Sequence, residues 1–220
     1  MNSITKRTID LIIFDQDGTL VDSRIDIANA VNYALKVLGL PLLDIGTITG
    51  YVGEGVTRLI EKALRHFGEP LEIDNARLLF IEYYSSHLTN NTYLYPGVVE
   101  TLEYFREKRK AVISNKMEAL TRDLLKDLGV LNHFEIVLGG DSTERKKPFP
   151  DPVLRVLRDL GINSSRALMV GDSPTDIEAG KGAGVLTCGV TYGYRGKDEI
   201  LKAGPDLLIG SLLELKGLIE

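Results

Sequence analysis

The sequence predicts an α/β fold, with helices on both faces of a parallel sheet and a helical cap subdomain inserted after the first strand. Three observations carry that prediction. The run Leu11-Ile12-Ile13-Phe14 is apolar without alternation, as in a strand buried on both faces. From about residue 96 onward, short apolar runs alternate with stretches of helical period, as βαβ units do. Between these regions, over residues 21–91, apolar residues recur at helical spacing and no strand pattern stands out.

After the opening strand, Ala28, Val31, Leu35 and Leu38 mark a helix over residues 24–38. Ser23 is placed to cap it, and Gly39 and Pro41 end it. A second helix, from about Gly55, carries the stripe Val56, Leu59, Ile60, Ala63, Leu64 and Phe67; a third, from about Asp74, carries Leu78, Phe80, Ile81 and Tyr84. The turn Tyr95-Pro96-Gly97 closes the insert. Helices over 98–108, 118–128, 152–160 and 176–183 then precede strands over 111–113, 136–138, 167–170 and 185–189. A short strand at 207–209 and a helix over 211–219 finish the chain. Right-handed crossovers assemble such strands into a Rossmann-like parallel sheet. Residues 1–20 supply one strand of it, so the expected core is discontinuous, 1–20 with 92–220, and residues 21–91 form the cap.

A chain of 220 residues can bury one substantial core and a smaller subdomain. Its net charge of −5, with no Lys/Arg cluster, argues against nucleic acid as a partner. No run approaches membrane-spanning length and Met1 to Asp10 is polar and mixed, so no membrane partner is expected and the location read from the sequence is cytoplasmic. The sequence carries no signal for an oligomeric state. Cys188, the single cysteine, sits in an apolar run and reads as a small buried hydrophobe rather than a nucleophile. His66, His87 and His133 have no ligand spacing and read as structural, while Arg58, Lys62 and Arg65 read as the solvated face of a cap helix.

The chemistry concentrates at strand ends. Asp15-Gln16-Asp17-Gly18-Thr19 follows the first strand directly, at the edge where parallel sheets bind ligands. Two carboxylates this close raise each other's proton affinity unless a cation or hydrogen bonds compensate, and oxygen donors of this kind suit magnesium. A calcium loop of the EF-hand type needs Gly at its sixth position, where this chain has Leu20. Three further strand ends carry polar residues: Ser114-Asn115-Lys116, with a hydroxyl and an amide for a phosphoryl oxygen; Lys146-Lys147-Pro148; and Gly171 to Asp176, with carboxylates at Asp172 and Asp176 beside a helix start. In the insert, Gly53-Glu54-Gly55 precedes a helix, where backbone amides can approach an anion.

In order and placement these motifs resemble the haloacid dehalogenase superfamily, specifically its phosphatases with a helical cap after the first strand. The first motif matches at Asp15 to Leu20, the second at Ser114-Asn115, the third at Lys147 and the fourth at Gly171 to Asp176. The resemblance implies that Asp15 is a nucleophile that becomes an aspartyl phosphate and Asp17 a general acid/base. It also implies that Asp15, Asp172 and the Asp17 carbonyl hold Mg2+, with Asp176 touching or supporting that metal set. Gly18, Ser114, Asn115 and Lys147 would meet the phosphate. Lys147 is preferred to Lys146 because it directly precedes Pro148, which leaves Lys146 as a solvated neighbour.

Two positions depart from the family pattern: Gln16 stands where relatives usually carry an apolar residue, which bears on contacts near the cap, and Ser114 where many carry Thr. Gly53, Glu54 and Gly55, with Thr191-Tyr192-Gly193-Tyr194, resemble segments of phosphoglycolate phosphatases and imply 2-phosphoglycolate as substrate. An inward Glu54 would repel an anionic tail, whereas an outward one would sit favourably at a helix start. The alternatives are a sugar phosphomutase, a pyrophosphatase or nucleotidase, and a non-catalytic phosphate-binding regulator. The complete aspartate pairs of the first and fourth motifs speak against the regulator.

Overall fold

Every side chain of β1 (Leu11–Phe14) is buried, as its unalternating apolar run requires. The computed structural model describes residues 6–68 and 72–220. After β1 the chain forms β2 (Val21–Asp22) and then α1 (Arg24–Val37), α2 (Ile45–Tyr51), α3 (Val56–Arg65) and α4 (Ile73–Ser85). It returns through β3 (Tyr93–Leu94), which pairs antiparallel with β2. There follow α5 (Val98–Tyr104), β4 (Arg109–Ile113), α6 (Glu118–Asp127), β5 (Ile136–Leu138), α7 (Asp151–Leu160) and β6 (Ala167–Gly171). The chain ends with α8 (Pro174–Gly182), β7 (Leu186–Val190), α9 (Lys197–Ala203), β8 (Leu207–Ile209) and α10 (Leu215–Leu218).

Six strands make one sheet in the order β5-β4-β1-β6-β7-β8, with every neighbouring pair parallel. Phe14 of β1 stands beside Val112 of β4 on one side and Val170 of β6 on the other. The strand order runs outward in opposite directions from β1, so the carboxyl ends of β1, β4 and β6 border a topological switch point, where open α/β sheets bind ligands. Alternate side chains feed two cores. Leu11 and Ile13 pack with Val153, Val156 and Ala179 from α7 and α8, while Ile12 and Phe14 join the larger cluster that continues into α1, α3 and α4.

Some elements depart from the sequence expectation. The ribbon of β2 and β3 lies where no strand was expected, its four residues being too few for a readable period. Asp44 caps α2 by accepting from the Thr47 N–H at 2.9 Å, yet α2 buries only Ile48 and α9 only Ile200, so neither shows an apolar stripe. Leu78 is exposed; Ala76, Phe80 and Tyr84 form the buried face of α4. The expected last helix divides into a 3-10 turn, Leu212–Glu214, and α10. Among the described residues no helix is long and apolar enough to cross a membrane.

Candidate active site

Asp15 continues β1 by one residue, its N–H donating to the Val170 carbonyl at 2.9 Å, which aims its side chain into the crevice beyond the strand ends. Lys147 Nζ donates at 2.7 Å to Asp15 Oδ1, to Asp176 Oδ1 and to the Ile113 carbonyl, so all three of its N–H bonds are engaged. Asp176 lies in the first turn of α8, where its Oδ2 accepts from the Ser173 N–H at 3.1 Å and the Ser173 hydroxyl at 2.6 Å. Asp172 leaves the end of β6 and accepts from the Tyr194 N–H at 2.7 Å. The backbone of Gly18 presses so closely on Asp172 that a Cβ there would stand 2.2 Å from Oδ2, and φ of +89° excludes a side chain independently.

Oxygens of Asp15, Asp172 and Asp176 lie within 4.8 Å of one another, and all three residues are buried. Three carboxylates face one ammonium, which leaves the cluster under-neutralised. Burial and the Asp176 charge push the Asp15 carboxyl well above its ordinary value, and the same two causes push Asp172 up to about 7. Burial works against the Lys147 charge, but Asp15 and Asp176 hold its pKa above the ordinary value. Hard oxygen donors with surplus negative charge in a buried crevice are what a divalent cation requires, and the cluster fits one.

Asp17 is held apart from that cluster. Its Oδ1 accepts from the Ser23 hydroxyl at 2.5 Å and from Lys116 Nζ at 2.8 Å. Ser23, expected to cap α1, occupies the cap position without a capping bond, because its hydroxyl is turned to Asp17. Lys116 also donates to the Tyr84 hydroxyl of α4 at 2.8 Å. Burial opposes its charge, and Asp17 with Tyr84 reverses that effect and raises its pKa. Neither Ser23 nor Lys116 was assigned this part from the sequence; the one available hint was that Lys116 directly follows Ser114-Asn115 at a strand end.

Ser114 is buried at the end of β4, its Oγ accepting from the Lys116 N–H at 3.1 Å. The side-chain amide of Asn115, expected to meet a phosphoryl oxygen, instead donates to the Gly53 carbonyl at 2.8 Å and the Lys147 carbonyl at 2.9 Å. Lys146 is a correction too, since it is partly buried and donates to the Glu54 carbonyl at 2.7 Å rather than standing free in solvent. Arg195, which the sequence reading did not single out, donates to the Gly50 carbonyl at 3.1 Å and to the Val52 carbonyl. Four of the five carbonyls from Gly50 to Glu54, all but that of Tyr51, are thus gripped from the sheet side.

Gly53 and Gly55 line the cavity between this loop and the sheet edge, whereas the Glu54 side chain turns outward to Lys62 at 2.5 Å. Glu54 therefore leaves the expected substrate set. The Lys62 hydrogen bond lowers its pKa and keeps it charged. The cavity has a volume of about 60 Å³. Asp15, Asp17, Ser114, Lys147 and Asp172 form its polar floor, and Ile27, Val56, Leu59 and Phe80 its apolar roof.

The Thr191–Tyr194 segment clamps the loop after β1: the Tyr192 hydroxyl donates to the Thr19 carbonyl at 2.8 Å, and the Ser23 N–H donates to the Tyr194 hydroxyl at 2.7 Å. Gln16 points into the core, not toward the cap, with Nε2 donating to the Thr121 carbonyl at 3.2 Å. Burial pushes the Cys188 thiol up to about 12, as suits an unreactive core residue. His87 stacks on Tyr83 and His66 faces the Tyr51 hydroxyl, both away from the acidic cluster.

Comparison with known proteins identifies the family. The family model for haloacid dehalogenase-like hydrolases matches residues 12–190. A phosphoglycolate phosphatase of Nitrosococcus oceani is 38% identical over 217 residues, covering 96% of each chain. One of Aquifex aeolicus is 41% identical over 190 residues, covering 84% of this chain and 85% of that one. Among solved structures, a predicted phosphoglycolate phosphatase of Haemophilus somnus superposes with a TM-score of 0.90 at 33% identity, covering 94% of this chain and 96% of its own.

Proposed function

The chain belongs to the haloacid dehalogenase-like hydrolases and is a phosphoric monoester hydrolase, and on that premise we propose that it hydrolyses 2-phosphoglycolate to glycolate and phosphate with magnesium. The observation that carries the mechanism is the separation of two carboxylates by their partners: Asp15 is held by Lys147 beside Asp172 and Asp176, while Asp17 is held by Ser23 and Lys116.

Asp15 attacks phosphorus, forming an aspartyl phosphate as the bond from phosphorus to the ester oxygen breaks. Asp17 delivers a proton to that departing oxygen. It then takes one from the water that attacks the aspartyl phosphate, and the bond from phosphorus to Asp15 breaks to release inorganic phosphate. Lys147, its donors already engaged, offsets the phosphoryl charge from beside Asp15, while the Ser114 hydroxyl and amides of the loop that includes Gly18 orient the oxygens. Asp15, Asp172 and the Asp17 carbonyl would hold magnesium, with Asp176 fixing Lys147 and the start of α8 beside them. Bound there, the ion would offset the carboxylate charge and polarise the phosphoryl group.

Choice of substrate belongs to the roof of the cavity. Gly53 and Gly55 present backbone and no bulk, and a cavity of about 60 Å³ suits a short leaving group better than a nucleoside or a sugar. The names of the relatives point the same way. Steady-state rates with magnesium over phosphoglycolate, hexose phosphates, nucleotides and pyrophosphate test the assignment. Phosphoglycolate is expected to give the highest kcat/KM, and a tenfold preference for another ester, about 1.4 kcal/mol of transition-state discrimination, would reject it.

A further inference from the structure

Phosphoryl transfer by itself gives no reason for the cation at Lys116. Lys147 already faces the nucleophile, and Arg195 is committed to carbonyls of the cap loop. Lys116 instead lines the cavity with its side chain only 10% exposed, in a wall that also holds Phe80, Met117 and Leu120. Burying an ammonium is costly unless it is paired and hydrogen-bonded. Asp17 and the Tyr84 hydroxyl take two of its N–H bonds, and the third has no acceptor among the described residues. A spare charged donor lining a substrate cavity calls for an anionic acceptor.

We propose that Lys116 is a specificity-determining residue that binds the carboxylate of the leaving group, on the reading that the substrate is phosphoglycolate. Its position matches the shape of that leaving group. The ester oxygen must come within hydrogen-bond reach of Asp17 to receive its proton. Lys116 Nζ is 2.8 Å from Asp17 Oδ1, and in a glycolate leaving group a single methylene separates the ester oxygen from the carboxylate carbon. One side of Lys116 thus holds the acid while its free donor meets the carboxylate, and Tyr84 from α4 fixes the ammonium between them. A longer or uncharged leaving group leaves that mostly buried donor unmatched, so Lys116 selects against it as well as for glycolate.

The test compares kcat/KM for 2-phosphoglycolate and for 2-hydroxyethyl phosphate, which replaces the carboxylate by a neutral hydroxymethyl group. Wild-type protein is expected to prefer phosphoglycolate. Lys116→Gln, which can keep polar contacts to Asp17 and Tyr84 without the charge, is expected to cut that preference by about tenfold to a hundredfold. Lys116→Met provides the same readout should the Gln variant fold poorly, and Lys116→Arg is expected to retain much of the preference. Equal losses on both esters, with the preference intact, would overturn the proposal, because Lys116 would then act only through Asp17. A wild-type protein that does not favour phosphoglycolate over its neutral analogue would overturn the substrate reading and this proposal together, a result visible before any variant is made.

Discussion

The Asn115 side-chain amide donates to the Gly53 carbonyl at 2.8 Å, joining the end of β4 directly to the loop ahead of α3. The same nitrogen holds the Lys147 carbonyl, so the cap loop and the lysine that faces Asp15 share one anchor. Lys146 and Arg195 add two more grips on the loop backbone. Small errors in this loop are therefore transmitted to the floor of the site.

Gly55 is the sharpest probe of that coupling. Its φ is +85°, and a Cβ would stand 2.9 Å from both the Asn115 carbonyl oxygen and Lys146 Nζ. Gly55→Val should impose about 1–3 kcal/mol of backbone strain on the closed loop. The expected result is a fall in kcat/KM for phosphoglycolate that exceeds the fall for an aryl phosphate. Equal falls, measured at steady state, would remove the loop from substrate selection.

Asp15→Asn should abolish turnover with the fold intact, since an amide cannot form the acyl phosphate while the strand packing beneath it is unchanged. Replacing a carboxylate by a neutral amide also relieves the burial cost and the repulsion that raise the Asp15 pKa, so the metal-free variant should melt no lower than the parent protein. Residual turnover near the parent rate would end the case for Asp15 as nucleophile.

Asp17→Asn should lose the proton-transfer contribution, about 10²- to 10⁴-fold in rate. The loss should be large for an alkyl phosphate, whose departing oxygen needs a proton, and smaller for an aryl phosphate with a good leaving group. Losses that do not vary with leaving-group pKa would contradict the acid role.

Asp172 links metal to pH. Burial and the Asp176 charge push its carboxyl up to about 7 in the folded chain, from an ordinary value of 3.8. Between those values the folded chain keeps a proton that the unfolded chain has released, so metal-free stability falls as pH rises through this window and levels off above it. On the proposed assignment of Asp172 to the metal, magnesium competes with that proton and is bound better once it has left. Thermal melts with magnesium and with EDTA should therefore differ more at pH 8 than at pH 6. A magnesium-induced rise in Tm of the same size at both would detach Asp172 from metal binding, as would an unchanged magnesium half-saturation of the rate in Asp172→Ala.

Most of the sheet was legible in the sequence because strands covered on both faces show as apolar runs without alternation, as at Leu11–Phe14 and Ala167–Gly171. Asp15, Ser114 and Asp172 could be placed at one edge from the sequence because each directly follows such a run and parallel strands bring their carboxyl ends together, whereas Lys147, well past β5, was singled out by its place before Pro148. α2 and α9 were hidden because each buries a single residue and shows no period.

The partners of those residues were decided only in three dimensions. Lys116 meets Asp17 across 99 positions of sequence, and Arg195 meets Val52 across 143. Local periodicity reports which face of an element is buried, and motif spacing reports which residues end a strand. Neither reports which side chain an oxygen will face once the sheet edge and the helices over it have closed. The direction of Glu54 toward Lys62, of Lys146 toward the Glu54 carbonyl and of the Ser23 hydroxyl toward Asp17 follows from that closure, in which each buried polar group takes the partner packing leaves within its reach.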